Sequence, residues 1–465
     1  MDPSRPASPQ PAVPPAAGPH AGAPRPLLVS AAPGPLQGEV RVPGDKSISH
    51  RALMFAALAE GVTRVEGLLE GEDVLRTADA MRALGARVEG LENGSWRVEG
   101  RGIGRLQEPA DVLDMGNSGT AARLLAGILA THGFTSVMTG DGSLRGRPMR
   151  RVTEPLAATG ARFASRAGGR LPLCIEGTGE ARPVSYRLPV ASAQVKSAIL
   201  LAGLNARGET RVEEPVPTRD HTENMLRHFG AALFVETDAA GGRVIRLQGR
   251  PTLSARDVSV PADPSSAAFP LVAALLVPGS EILLRGVGLN PSRTGLFTTL
   301  REMGGFLELR DERVEGGEPV GDLLVRAGAL RGVDVPAARA PSMIDEYPVL
   351  AVACAAAAGT SRLRGLEELR VKESDRLAST VALLERNGAQ VRVDGNDMIV
   401  EGAGALRGGG TVETRMDHRL AMSAVVLGLA AREPVRVDDT AFIETSFPGF
   451  VPLMDSLGAD LGREG

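Results

Sequence analysis

The stretch from Ser47 to Gly61, S-I-S-H-R-A-L-M-F-A-A-L-A-E-G, decides the fold because the chain repeats it. After a polar opening, apolar residues follow almost without a break, which predicts a buried helix. Related runs begin at Ser118 (S-G-T-A-A-R-L-L-A-G-I-L-A-T-H-G), Ser192 (S-A-Q-V-K-S-A-I-L-L-A-G-L-N-A-R-G) and Ser265 (S-S-A-A-F-P-L-V-A-A-L-L-V-P-G). Two more begin at Ile344 (I-D-E-Y-P-V-L-A-V-A-C-A-A-A-A-G) and Asp417 (D-H-R-L-A-M-S-A-V-V-L-G-L-A-A). Five of the six stop at a glycine (Gly61, Gly133, Gly208, Gly279, Gly359), the residue expected of a left-handed helix cap. Pro270 and Pro348 fall inside the fourth and fifth runs, so those helices must start late or kink.

Each buried run is followed by a short β-branched stretch and a second, amphipathic helix. That helix closes on a Gly-Ala-like turn into a strand, at Gly85, Gly160, Gly230, Gly304, Gly388 and Gly458. The spacing of roughly 70 to 85 residues is too long for a solenoid and right for a small α/β unit. The chain therefore reads as six copies of one supersecondary unit.

The polar residues sit at the same place in each copy. They are Lys46, Ser47 and Arg51; Asn117 to Thr120 with Arg123; Ser192 and Gln194; Asp263; Asp345 and Glu346; and Asp417, His418 and Arg419. A helix start presents unpaired N–H groups and partial positive charge, so Lys, Ser and Arg there suit a phosphate or carboxylate. With the six units arranged pseudo-symmetrically, these ends converge on one cleft able to hold a highly anionic ligand set.

At 465 residues, with 43% hydrophobic and 3% aromatic residues and 57 glycines, the chain is expected to form two or three α/β domains. A net charge of -4 argues against a dedicated nucleic-acid binder, so any anion site is a local cluster. Cys174 and Cys354 lack metal-ligand spacing, which argues against a disulfide framework or zinc site and fits a reducing cytoplasm. The Pro/Ala-rich residues 1–27 lack the apolar core of a signal peptide and read as a disordered tail. No apolar run approaches a membrane span, and a cytoplasmic monomer with neither nucleic-acid nor membrane partner is expected. Of 52 lysines and arginines only Lys46, Lys196 and Lys372 are lysines, which marks places where a compact ammonium is required. Lys196 reads either as support behind a site or as a helix-surface charge.

Eight motifs carry a specific resemblance. They are P-G-D-K-S-I-S-H-R from Pro43, G-N-S-G-T-A-A-R from Gly116, G-D-G-S-L-R-G-R-P-M from Gly140 and S-A-Q-V-K-S-A from Ser192. The others are T-R-D-H-T-E from Thr218, P-S-M-I-D-E-Y-P from Pro341, R-V-K-E-S-D-R-L from Arg370 and M-D-H-R-L-A-M from Met416. In order, and over residues 28 to 460, the chain resembles the EPSP synthases (3-phosphoshikimate 1-carboxyvinyltransferases) of the enolpyruvyl transferase family. The resemblance implies a two-domain inside-out α/β barrel with three βαβαββ repeats per domain, six in total. Residues 28–44 with 262–465 would form one domain and 45–261 the other, with the active site between them.

The implied reaction joins the 5-hydroxyl of shikimate 3-phosphate to C2 of phosphoenolpyruvate while C3 gains a proton; the adduct then loses phosphate. By the same resemblance no metal or other cofactor is needed. Lys46, Ser47, Arg51, Ser192, Ala193, Gln194, Arg219, Asp345 and Lys372 would contact shikimate 3-phosphate. Lys46, Gly119, Arg147, Gln194, Arg376 and Arg419 would contact phosphoenolpyruvate, with Arg123 supporting the Gly119 loop. Arginine suits such sites because its planar fork pairs two oxygens. Asp345 would be the proton acceptor and Glu373 the proton donor. A carboxylate among cations has a lowered pKa, so a donating Glu373 needs ligand charge or burial to offset them. Taken alone, K-E-S-D-R also reads as a solvated helix in which Lys372 and Arg376 repel, a repulsion that an anion between them would relieve.

Two positions depart from the family pattern. Thr445 and Ser446 stand where the family often has a lysine before its T-F-P or S-F-P. Position 119 is glycine, whereas the glyphosate-tolerant class that this chain resembles has alanine there; the inhibitor is therefore expected to fit. The related transferase acting on UDP-N-acetylglucosamine carries a reactive cysteine in the loop before A-R-P, and Gly140 to Pro148 contains none. A nucleotide-phosphate loop needs glycine directly before its lysine, and Asp45 intervenes. A non-catalytic anion-binding scaffold gives no reason for carboxylates among the cations.

Overall fold

A computed structural model describes residues 24–92 and 94–461. The six apolar runs form α1 (Lys46–Leu58), α2 (Gly119–Leu129), α3 (Ala193–Gly203), α4 (Pro264–Leu276), α5 (Tyr347–Ala356) and α6 (His418–Leu429). Five start on a side-chain cap: Asp45, Ser118, Ser192, Asp263 and Asp417 accept from backbone N–H groups two or three residues on. The fifth helix starts late, with Pro348 in its first turn, where the missing N–H costs nothing. Pro270 lies inside α4.

The expected glycine caps on these helices are not what forms. Helix α1 ends at Leu58 and α5 at Ala356, and Gly61 and Gly359 belong to the following strands Glu60–Glu66 and Ala358–Leu363. Gly208 and Gly279 sit in later turns, and Gly133 has no positive φ. The left-handed cap belongs to the second helix of each unit. Helices Glu72–Ala83, His221–His228, Gly295–Glu302, Arg376–Arg386 and Phe450–Ser456 run into Gly85, Gly230, Gly304, Gly388 and Gly458, at φ +91°, +93°, +92°, +85° and +99°. Gly85 N–H bonds to Arg82 O at 2.9 Å and Ala86 N–H to Met81 O at 3.0 Å, and the other four close in the same way. These last carbonyls would otherwise be orphaned, and only glycine takes that φ cheaply.

Five units end in a four-stranded sheet of the same order. In one, Leu113–Asp114 runs parallel to Thr135–Thr139, which pairs antiparallel with Arg170–Glu176, which in turn pairs with Arg162–Arg166. Two sheets exchange their first strands. Gln37–Val40, just before α1, pairs with Glu281–Gly288 after α4, whereas Val258–Ser259, just before α4, pairs with Glu60–Glu66 after α1. The sixth unit is completed from the far end of the chain, Leu27–Val29 lying antiparallel to Val435–Val437.

Two hydrophobic cores result, one built from residues between Val29 and Val42 together with those from Ala262 to Leu461, the other from Ile48 to Val260. The two-domain α/β fold of six units is therefore the one that forms. The expected disordered tail needs one correction. Residues 1–23 lie outside the described residues, but residues 24–27 are held: Arg25 N–H bonds to Asp439 at 3.0 Å, Thr440 N–H bonds to Arg25 O at 2.9 Å, and Leu27 opens a strand. Among the described residues no helix is long and apolar enough to cross a membrane.

Candidate active site

Side-chain contacts bring the heads of the six helices together. His50 of α1 lies 3.4 Å from Ser118 at the head of α2. Arg123 of α2 donates to Gln194 Oε1 at 2.9 Å, and Gln194 Nε2 donates to Thr120 Oγ1 at 3.0 Å, tying α2 to α3. Arg51 of α1 donates to Ser197 of α3 at 2.7 Å. In the other half Ser265 of α4 donates to Glu346 at the head of α5, and Arg419 of α6 lies 3.9 Å from the same carboxylate. The halves meet where Lys46 N–H reaches Asp263 at 3.5 Å and Arg219 Nη2 donates to Asp345 Oδ2 at 3.1 Å. Positive helix ends thus lie close to Lys46, Arg51, Arg219, Lys372 and Arg419.

On the α1 and α3 side, Lys46 pairs with Asp73 and keeps its side chain 28% exposed. The Ser47 carbonyl accepts from Arg51 Nη1 at 2.8 Å. Arg51 is buried, and its Nε also donates to Thr222 at 2.7 Å, so three of its five N–H groups are used inside the protein. Ser192 Oγ caps α3 at 3.4 Å from Val195 N, with Ala193 the first helical residue.

On the α2 side, Gly119 opens the helix beneath two guanidinium tips. A Cβ there would sit 2.7 Å from Arg123 Nη1 and 3.3 Å from Arg147 Nη1. Arg147 is oriented by Asn117 Oδ1 at 2.8 Å and Ser143 at 3.1 Å. Burial and the neighbouring Arg147 and Arg151 charges push Arg123 down to about 10. Arg376 is fully enclosed: Nε donates to Asp417 at 2.8 Å, Nη1 to Asp345 at 3.1 Å, and Nη2 pairs with Glu373 at 2.7 Å.

Three carboxyl groups respond to this field differently. Burial alone would raise Asp345, but Lys372 at 3.5 Å, Arg419, Arg219 and Arg376 hold it well below the usual carboxylate range. Asp345 is itself the anion between Lys372 and Arg376, and Lys372 and Glu373 precede the helix that begins at Arg376 rather than riding on it. Burial would also raise Glu373, yet Arg376, His418 and Arg147 outweigh it and hold the group ionised. Glu346 goes the other way: burial, helped by the Asp345 charge, raises it against Arg419 and Arg293. His50 and His418 are neutral, driven to about 3 by burial and by nearby cations, chiefly Lys46 for the first and Arg419 for the second.

Lys196 is not a surface charge. It is fully buried, with Nζ 2.9 Å from Glu214 and 2.7 Å from Glu223. Thr445 and Ser446 close a short 3-10 turn whose backbone packs against Gly71 of the other half. Sequence reasoning missed Asp73 and Arg293. Arg293 Nη1 reaches Asp45 at 2.6 Å, and its Nη2 reaches Asp263 and Ser265, each at 2.8 Å. Neither residue has a local signature, because both act on partners distant in sequence. Among the described residues no group of three or more His, Cys, Asp or Glu side chains is placed to hold a metal ion.

Comparisons with known proteins give the chain a family. Residues 30–454 match the family model described as EPSP synthase (3-phosphoshikimate 1-carboxyvinyltransferase). The chain is 74% identical to a 3-phosphoshikimate 1-carboxyvinyltransferase of Gluconobacter oxydans, over 94% of this chain and 99% of the relative. It is 70% identical to that of Acidiphilium cryptum, over 91% of this chain and 95% of the relative. A solved structure of EPSP synthase from Acinetobacter baumannii superposes with a TM-score of 0.85 at 43% identity, covering 93% of this chain and 98% of that one. Family model, relatives and fold converge on one assignment: the chain belongs to the EPSP synthase (3-phosphoshikimate 1-carboxyvinyltransferase) family.

Proposed function

We propose that this chain is a 3-phosphoshikimate 1-carboxyvinyltransferase (EC 2.5.1.19), moving the enolpyruvyl group of phosphoenolpyruvate to the 5-hydroxyl of shikimate 3-phosphate with release of phosphate. The observation that carries the reading is Asp345, an ionised carboxylate only 17% exposed, where helix ends of the two halves meet. A pure anion binder gains nothing from such a group, whereas the addition of a hydroxyl to an enol phosphate needs a base beside the nucleophile.

Shikimate 3-phosphate lies on the Lys46, Ser47, Arg51, Ser192, Ala193, Gln194 and Arg219 side, with Asp345 and Lys372 at its 5-hydroxyl. Phosphoenolpyruvate lies against Lys46, Gly119, Arg147, Gln194, Arg376 and Arg419. The 5-hydroxyl oxygen attacks C2 as its proton passes to Asp345, and C3 takes a proton from Glu373. The adduct then returns a proton from its methyl to Glu373 as the carbon–oxygen bond to phosphate breaks, and the departing phosphate takes the proton held by Asp345. Glu373 starts ionised among Arg376, His418 and Arg147. A bound phosphoenolpyruvate anion offsets the pull of those arginines and raises Glu373 toward the protonated form.

The domains are residues 28–44 with 262–465, and 45–261, in line with the two separate cores. Their closure excludes water and strengthens every charge contact. The protein acts as a cytoplasmic monomer, and glyphosate fits beside Gly119. The decisive experiment supplies phosphoenolpyruvate with each acceptor and measures phosphate release. Release with shikimate 3-phosphate is expected; release only with UDP-N-acetylglucosamine would refute the assignment.

A further inference from the structure

Lys196, the one lysine outside the proposed substrate contacts, is enclosed with two carboxylates. Its ammonium lies 2.9 Å from Glu214 and 2.7 Å from Glu223, and all three side chains are buried. Glu214 ends the strand Glu209–Glu214 and also accepts from Thr218, and Glu223 lies on the helix His221–His228. These contacts bracket Arg219. The next residue on α3, Ser197, bonds to Thr222 at 2.7 Å, and both Ser197 and Thr222 accept from Arg51. Two successive residues of α3 therefore hold the segment that carries Arg219 and the guanidinium of Arg51.

The charges in this cluster balance. Glu214 and Glu223 bring two negative charges, Lys196 and Arg51 two positive ones. Among neighbouring charges, Glu223 acts most strongly on Arg51. Remove the ammonium and both buried carboxylates lose the cation they contact, leaving Arg51, on which Glu223 already acts, as a nearby counter-charge. That guanidinium would then be drawn inward, and its field on the cleft would be cancelled.

We infer that Lys196 is a positioning residue that balances Glu214 and Glu223, keeps the charge of Arg51 available to an anion in the cleft and fixes the Arg219 segment. The inference rests on the proposed placement of shikimate 3-phosphate beside Arg51 and Arg219. Lys196 touches no substrate in that placement, so its effect is specific: affinity for one of the two substrates.

The test measures KM for each substrate separately in Lys196→Met, in Lys196→Met with Glu223→Gln, and in Arg219→Ala. The single variant is expected to raise KM for shikimate 3-phosphate about tenfold or more, with KM for phosphoenolpyruvate within about twofold. The double variant restores neutrality and is expected to recover most of that loss, which a merely structural role would not do. If Lys196→Met does not accumulate as folded protein, Lys196→Gln, which keeps a donor and removes the charge, takes its place. Equal rises in both KM values, or no recovery in the double variant, would overturn the inference. Arg219→Ala separates the two levels. If it leaves KM for shikimate 3-phosphate unchanged, the placement of that substrate fails; if it raises that KM while Lys196→Met does not, the role of Lys196 alone fails.

Discussion

Arg219 of one half and Asp345 of the other share a hydrogen bond of 3.1 Å. The cation belongs to the segment held by α3, the carboxylate to the head of α5, and together they join the proposed phosphate-binding wall to the proposed base. Asp345 has two further cations within reach, Arg376 at 3.1 Å and Lys372 at 3.5 Å. Loss of this carboxylate is therefore expected to remove chemistry rather than binding. Asp345→Asn should lower kcat by about 10² to 10⁴, the usual worth of a positioned acid or base, with each KM changed far less. Steady-state phosphate release checks this, and a fall confined to KM would remove Asp345 from the proton transfer.

Glu373 is paired to Arg376 at 2.7 Å and held ionised. Glu373→Gln cannot give a proton to carbon. In deuterated water, the mutant is expected to lose exchange of the C3 hydrogens of phosphoenolpyruvate along with turnover. Retained exchange would assign the carbon acid to another group.

Gly119 is walled in by two arginines, Arg123 at 2.7 Å and Arg147 at 3.3 Å from a built Cβ. Gly119→Ala must push one or both guanidinium groups away and narrow the phosphoenolpyruvate side. The wild-type protein is expected to be inhibited by glyphosate below the millimolar range in competition with phosphoenolpyruvate. The alanine variant should raise the inhibition constant more than KM. Equal changes in both constants would mean that the methyl does not discriminate between them.

His50 and His418 set a limit at acid pH. Each is about 3 in the fold against about 6.5 unfolded. Between those values the unfolded chain binds protons that the folded one refuses, so this stabilisation is full above pH ~6.5 and is lost as pH falls toward 3. Tm is expected to drop between pH 7 and 4.5, and to drop less in His50→Gln, which removes one of the two groups. A Tm that stays flat over that range would contradict the burial of both rings.

Arg293 binds the heads of α1 and α4 through Asp45 at 2.6 Å and Asp263 at 2.8 Å, with all three side chains buried. Arg293→Met leaves two buried carboxylates without their cation and is expected to cost about 3–5 kcal/mol. Denaturant titration measures this. A loss under ~1 kcal/mol would show that the network merely decorates the crossover.

The helices and their contents were legible because they depend on local pattern. An apolar run after Asp45 or Ser118 specifies a capped, buried helix, and Gly85 or Gly388 marks the one place where a left-handed residue is required. The glycines after the buried helices misled, because α1 and α5 hand over directly to strands that begin at Glu60 and Ala358. The pairings between halves were not legible. Arg219 with Asp345, Arg293 with Asp45, and Lys46 with Asp73 depend on where separate units pack, and residue spacing carries no record of that. Lys196 shows the same limit: its helix position was readable, its burial between two carboxylates was not.

The exchanged strands also impose an order on synthesis. Gln37–Val40 finds its parallel partner only at Glu281–Leu284, and Leu27–Val29 only at Val435–Val437. A ribosome adding about 5–20 residues per second needs on the order of 10 to 50 s to span the first of these gaps. Through that interval the contiguous stretch from Lys46 to Val260 can assemble its own core, while the leading strands wait unpaired. The nascent protein is thus half built around an open N-terminal edge, and that edge is the segment a chaperone would have most reason to cover.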